Sequence, residues 1–124
     1  MRSYTELDGL DEIVLEESYV LGITAEPGRV TFEVDFVLTP HHPEWVAPPP
    51  SEVECFRRGT LQLMGVRRLR WDDQGGPPAT DATGERDFGH IDSFKWEHDR
   101  FLLEGDWGSL DVRAAGAEAS LGPA

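Results

Sequence analysis

Cysteine is nearly absent from this chain. Cys55 is the only one, so no disulfide framework holds the fold together. Long apolar runs are also missing. No stretch reaches the roughly 18–20 apolar residues a membrane helix requires. The N-terminal MRSYTELDGLDE has no apolar core of the kind a secretory signal carries. Together these absences predict a cytoplasmic protein without a membrane anchor. Apolar residues at 3.6-residue spacing are wanting too, and no segment of three helical turns can be drawn. With 124 residues, the chain is long enough to bury a core as one domain, 1–124, without metal or disulfide.

Basic residues are scarce beside acidic ones. Eleven Lys and Arg face 24 Asp and Glu, for a formal net charge of −13. That balance argues against a general nucleic-acid binder, which needs clustered cations to neutralise phosphates. It favours solubility and long-range attraction of a basic partner. The charge is unevenly laid down. Residues 1–35 hold nine acids and two bases, and residues 72–111 hold eleven acids and three bases. Between them, residues 56–71 hold Arg57, Arg58, Arg67, Arg68 and Arg70 and no acid. Arginines on a wet strand face pair with acidic neighbours across the sheet. They can also form a patch for an anionic ligand or an acidic partner.

What is present is alternation. Ile13, Leu15, Tyr19, Leu21 and Ile23 share one parity, and Val30, Phe32, Val34, Phe36 and Leu38 share another. Period-two patterning marks strands with one face buried. Glu26-Pro27-Gly28 lies between them. Pro27 presets φ and Gly28 supplies the positive φ of a type II turn. Type II geometry splays a two-residue hairpin, which predicts a four-residue loop flanked by Ala25 and Arg29. Glu17 breaks the alternation with an acid on the apolar side. A bulge or a rim position accounts for it, and so would an inward carboxylate in a cavity.

Residues 1–10 read as a short lead-in. Residues 40–51 contain five prolines and cannot form a central strand. They predict an extended excursion bearing His41, His42 and Trp45. Val53 to Trp71 returns to strand patterning, interrupted at Gly59 and Gly65, as one bent strand or as two that break near Gly65. Residues 72–87, with Gly75-Gly76-Pro77-Pro78, read as a mobile loop. Phe88 to Ala114 supplies three further strands with turns at 97–99 and 105–106. Residues 116–124 are rich in small residues and predict a flexible tail. The fold class that follows is all-β: an antiparallel sandwich or a partly open barrel of six to seven strands.

Candidate chemistry is sparse. His41, His42, Glu44, His90, Asp92 and His98 are ligand types without a metal-site spacing. His90-x-Asp92 would share one face of a strand. Asp81, Thr83, Glu85 and Asp87 alternate as in a calcium loop, with Asp92 at the twelfth position. Arg86, however, stands where that loop needs glycine, which predicts a polar loop with local Asp and Thr hydrogen bonds. Cys55 falls at core parity, as an inert buried thiol would. No nucleophile elbow, phosphate loop or cofactor motif occurs. Trp45, Trp71, Trp96 and Trp107 suffice for a core, with any remainder free for an interface.

The segments CFRRGTL (55–61), WDD (71–73), DFGHID (87–92) and EGDWGSL (104–110) together resemble small uncharacterised single-domain bacterial all-β proteins, some of them immunity-protein-like. That resemblance implies binding and blocking a toxin and carries no residue roles with it. The function expected is a small acidic interaction protein with no cofactor, monomeric or a homodimer through an edge strand. Its expected contacts lie in the 40–51 and 72–87 loops. The alternative is a small-molecule-binding barrel or small enzyme around His90 and Asp92, with Glu17, Arg57, Arg67 and Arg68 as further polar groups.

Overall fold

A computed structural model describes residues 1–123. Alternating apolar side chains form strands because each strand buries every second residue, and here two antiparallel sheets face each other across those residues. In chain order the strands are β1 (Arg2–Ser3), β2 (Ile13–Glu26), β3 (Arg29–Leu38), β4 (Cys55–Met64), β5 (Arg68–Asp72), β6 (Ala79–Thr80), β7 (Arg86–Asp87), β8 (Ser93–Glu97), β9 (Arg100–Gly105), β10 (Gly108–Arg113) and β11 (Gly116–Leu121). A 3₁₀ turn at Tyr4–Glu6 follows β1. One sheet has the order β1-β8-β9-β10-β5 and the other β11-β4-β3-β2, while β6 and β7 form a separate small hairpin. The sheets are not closed into a barrel, so of the two predicted architectures the sandwich-like one holds. Among the described residues no helix is long and apolar enough to cross a membrane.

A shared core joins the sheets. Phe32, Val34, Phe36, Leu61 and Leu63 from one meet Phe94, Phe101, Leu103, Leu110 and Val112 from the other, all buried. Phe32 meets Trp107 edge-on at 5.2 Å between ring centroids. Trp71, Trp96 and Trp45 pack at the margin of this core. Three indole N–H groups donate to backbone carbonyls: Trp71 to Trp107, Trp96 to Ser3 and Trp107 to His90, each at 3.0 Å. These tryptophans therefore stitch the sandwich, and each has its polar tip satisfied.

The chain changes sheets twice at one corner. β4 lies in the four-stranded sheet and β5 in the five-stranded one, with the break at Gly65 as the sequence predicts. Gly65 has φ 64°, and a side chain there would reach 2.7 Å from the Cβ of Ala115, where β10 passes back to β11. Only glycine tolerates both demands.

Four expectations are corrected. The 116–121 stretch is not a tail but strand β11, paired with β4 from Gly116↔Met64 to Leu121↔Gly59. Its small residues let it lie close: Ala117 is buried, and the bare Cα of Gly59 makes room for the backbone of Ser120. Ala124 lies outside the described residues. This strand raises the number of longer strands to eight, above the six to seven predicted. The β2–β3 turn spans only Pro27 and Gly28, since Glu26 pairs with Arg29. The Gly28 carbonyl accepts from the Val66 N–H at 3.0 Å, which ties the tight turn to the β4–β5 corner. Val53 is not in a strand and is 91% exposed, because β4 begins at Cys55.

Candidate functional site

The site begins with a bulge. Val14 pairs with Val37, and the next pair is Tyr19 with Asp35, so Leu15–Ser18 stand opposite Phe36 alone. Such an insertion leaves backbone groups without ladder partners. Ser18 is fully buried and replaces them: its Oγ donates to the Val14 carbonyl at 2.7 Å and accepts from the Val37 N–H at 2.9 Å. On the other side, the Tyr4 hydroxyl donates to Glu16 Oε1 at 2.5 Å and accepts from the Leu15 N–H at 3.2 Å. Burial first, and the Glu16 carboxylate second, push the Tyr4 phenol pKa upward, so it remains a donor. Glu17 projects from the bulge and is exposed. It is a rim residue, and no inward carboxylate exists there.

The bulge also turns Tyr19 over. By strict alternation Tyr19 is a core residue. After the extra residues it points away from the core and is 37% exposed. A second irregularity, between Val20 and Gly22, leaves Leu21 on the same outer face. There Tyr19 lies 4.6 Å from the His90 ring and 5.9 Å from Phe56. The His90 Nδ1 sits 2.6 Å from the Ser18 carbonyl. A carbonyl only accepts, so Nδ1 is the donor in this contact.

A small arch overhangs these aromatics. Val20 exchanges two 2.8 Å backbone hydrogen bonds with Phe88 and Gly89, which covers the free edge of β2. From there β7 pairs with β6, and the turn between them closes on Asp81. Its Oδ1 accepts from the Thr83 N–H (2.8 Å), the Thr83 hydroxyl (2.6 Å) and the Glu85 N–H (3.0 Å). The Thr83 hydroxyl, foremost, holds the Asp81 carboxyl below its usual pKa. The alternating oxygens of 81–87 thus serve a local turn. Arg58 pins the arch to β4 by a 2.6 Å ion pair with Glu85.

Between arch and sheet lies a cleft of about 490 Å³. Tyr19, Leu21 and Phe56 supply apolar surface, and Asp35, Glu52, Asp81, Glu85 and Asp87 supply carboxylates. An adjoining depression of about 280 Å³ shares Tyr19, Ala79 and Asp87 and adds His90, Asp106 and Trp107. Asp35 has a raised pKa. Burial is the main cause, Arg58 opposes it, and Glu85 and Glu52 add to it. A cleft that keeps a half-buried carboxylate among other carboxylates is short of positive charge.

The residues singled out from sequence are dispersed. His90 lines the adjoining depression, but Asp92 is exposed in an irregular stretch, since β8 starts only at Ser93. The Arg57 guanidinium donates to the Gly122 carbonyl (2.7 and 3.2 Å) and to Glu44 (3.2 Å), clamping β11's end and the proline-rich excursion. His42 Nδ1 accepts from the Glu44 N–H at 3.0 Å, His41 is exposed, and Trp45 lies half-buried on the core. Arg67 pairs with Asp99, and Arg68 lies on the outer face of the other sheet. Among the described residues no group of three His, Cys, Asp or Glu is placed to hold a metal. Sequence reasoning missed Tyr19, Phe56, Asp35 and Glu52. The usable signal was Glu16-Glu17 inside an apolar strand, which marks the bulge that redirects Tyr19. No protein-family model, curated protein or solved structure matches this chain.

Proposed function

We propose that the chain is an interaction protein whose acidic cleft receives a basic segment of a protein partner, such as a basic toxin. One observation carries the reading: Tyr19 and Phe56 stand beside five carboxylates in one cleft. A lysine or arginine needs that combination. Its aliphatic stem packs on the aromatic surface, and its charged end meets acids. The net charge of −13 supports the same partner by speeding encounter at low salt. Of the two loops expected to make contacts, 72–87 supplies the arch, while no residue of 40–51 lines the cleft and only Glu52, just beyond it, does.

The test compares wild-type protein with a Tyr19→Ala/Asp35→Asn/Glu52→Gln variant as bait in native lysate. The wild type is expected to retain a stoichiometric basic protein, and the variant to lose it. Retention of no such protein, or equal retention by both baits, defeats the reading.

A further inference from the structure

We propose that the outer face of the five-stranded sheet binds a phosphate-bearing small molecule through a row of three arginines. The observation is one of register. Arg68 of β5 lies directly opposite Arg113 of β10, which lies directly opposite Arg100 of β9. Directly opposed residues share a face, and the alternate residues Leu110 and Val112 are buried, so the row points away from the core. Like charges placed directly opposite one another repel. This protein has few cations, yet it aligns three of them on adjacent strands.

The surrounding charges do not cancel the row. Glu97 continues it on β8, opposite Arg100. The next row holds Lys95, Leu102, Asp111 and Arg70. The row beyond holds Ser93, Glu104, Ser109 and Asp72, and Asp99, which pairs with Arg67, flanks the face. Six bases therefore stand against five acids, in a chain whose other charges are strongly negative. Arg100 grips Asp111 with Nε and Nη2 at 3.2 and 2.9 Å. Arg113 reaches Asp99 at 2.9 Å, and Arg70 reaches Asp72 at 2.8 Å. Arg68 makes no ion pair or side-chain hydrogen bond among the described residues. Each guanidinium has five N–H donors, so most donors in the row are uncommitted.

These side chains line a depression of about 410 Å³ formed by Arg68, Leu69, Arg70, Arg100, Asp111 and Arg113. That is the scale of a small-molecule site. The outer members of the row sit two strand spacings apart, about 10 Å, within converging reach of arginine side chains. Guanidinium forks match the oxygens of phosphate. Three forks from three strands suit a multi-oxygen phosphoryl group better than one planar carboxylate. The site lies on the opposite sheet from the acidic cleft and does not depend on it.

Isothermal titration of the full chain with pyrophosphate, orthophosphate and an oligoglutamate peptide tests the proposal. Saturable one-to-one binding of pyrophosphate is expected, with orthophosphate weaker. Arg68→Gln removes a side chain without a partner, so the variant should fold, as circular dichroism would verify. It is expected to bind pyrophosphate about tenfold or more weakly, in keeping with loss of a charge-assisted hydrogen-bonding group. Arg29→Gln, on the β2–β3 hairpin of the other sheet and outside the row, should bind as wild type. Absence of saturation, equal affinity in R68Q and R29Q, or tighter binding of oligoglutamate than of pyrophosphate would each overturn it.

Discussion

Replacing Ser18 by alanine tests how the bulge is held. The Ser18 hydroxyl has no solvent access and serves two backbone groups at 2.7 and 2.9 Å. Without it, the N–H of buried Val37 has no acceptor. Leaving one buried donor unsatisfied costs about 1–3 kcal/mol, and losing the bond to Val14 adds about 1 kcal/mol. The removed atom leaves a space too small for water, so no solvent replaces the bonds. The expected loss is therefore about 2–4 kcal/mol. For 124 residues the unfolding entropy is about 0.26 kcal/mol/K, which puts the fall in Tm at about 8–15 °C. Urea unfolding followed by tryptophan fluorescence should show a lower midpoint with an unchanged slope. Tyr4→Phe should cost about 1–2 kcal/mol, because it strips the acceptor from the Leu15 N–H. Both side chains hold one bulge, so the double variant should lose less than the sum of the singles. A loss below about 0.5 kcal/mol for S18A would refute the reasoning, since the strands would then be closing the bulge without the hydroxyl.

Gly65→Ala should cost about 2 kcal/mol in urea unfolding, since φ 64° and the neighbouring Ala115 Cβ both oppose a side chain there. Asp35→Asn should leave stability at neutral pH unchanged or slightly raised. Its folded pKa is raised above the unfolded value, so the ionised carboxylate costs the fold stability above that pKa and the cost disappears as pH falls through it. The wild-type and variant curves of stability against pH should therefore converge on acidification, and a variant that loses stability at pH 7 would contradict this. Asp99 and Asp111 show the reverse sign: hydrogen bonds from Arg113 and Arg100, respectively, lower their pKa values. What they contribute is present above the unfolded carboxylate pKa and is lost as pH falls through the folded values. Asp111→Asn should flatten that acid limb of the stability profile.

The sandwich was legible because its core obeys period two nearly everywhere. Phe32, Val34, Phe36, Leu61 and Leu63 are buried as their parity demands. Legibility failed where backbone irregularity or composition disguised the pattern. β11 reads as a tail because alanine and glycine carry little apolar signal, although Ala117 and Ala119 alternate inward. Tyr19 reads as core because a residue count cannot register the insertion at Leu15–Ser18. The cleft was less legible still. Its carboxylates come from β3, the end of the proline-rich excursion and the arch, and only the fold brings them together. The arginine row has the same origin: Arg68 is conspicuous in sequence, but its neighbours Arg100 and Arg113 are 32 and 45 positions away.

Opposite charge on the two outer faces has a consequence for salt dependence. The arginine face carries six bases and five acids, which leaves five bases and nineteen acids elsewhere. Consider an anion of charge −2 about 5 Å from the local excess and about 20 Å from the remainder. In unscreened water, attraction is about 2 kcal/mol and repulsion about 6 kcal/mol, so repulsion wins. At 0.15 M salt, the Debye length of about 8 Å reduces these to about 0.9 and about 0.5 kcal/mol, and attraction wins. At about 1 M both fade. Pyrophosphate affinity should thus pass through a maximum at intermediate ionic strength, unlike the monotonic loss with salt of an ordinary basic site. Titrations at constant pH from about 0.01 to 1 M sodium chloride would reveal it. A steady gain in affinity down to the lowest salt would mean that the distant acids do not reach the site, and that the charge separation between the faces has no bearing on what the arginines bind.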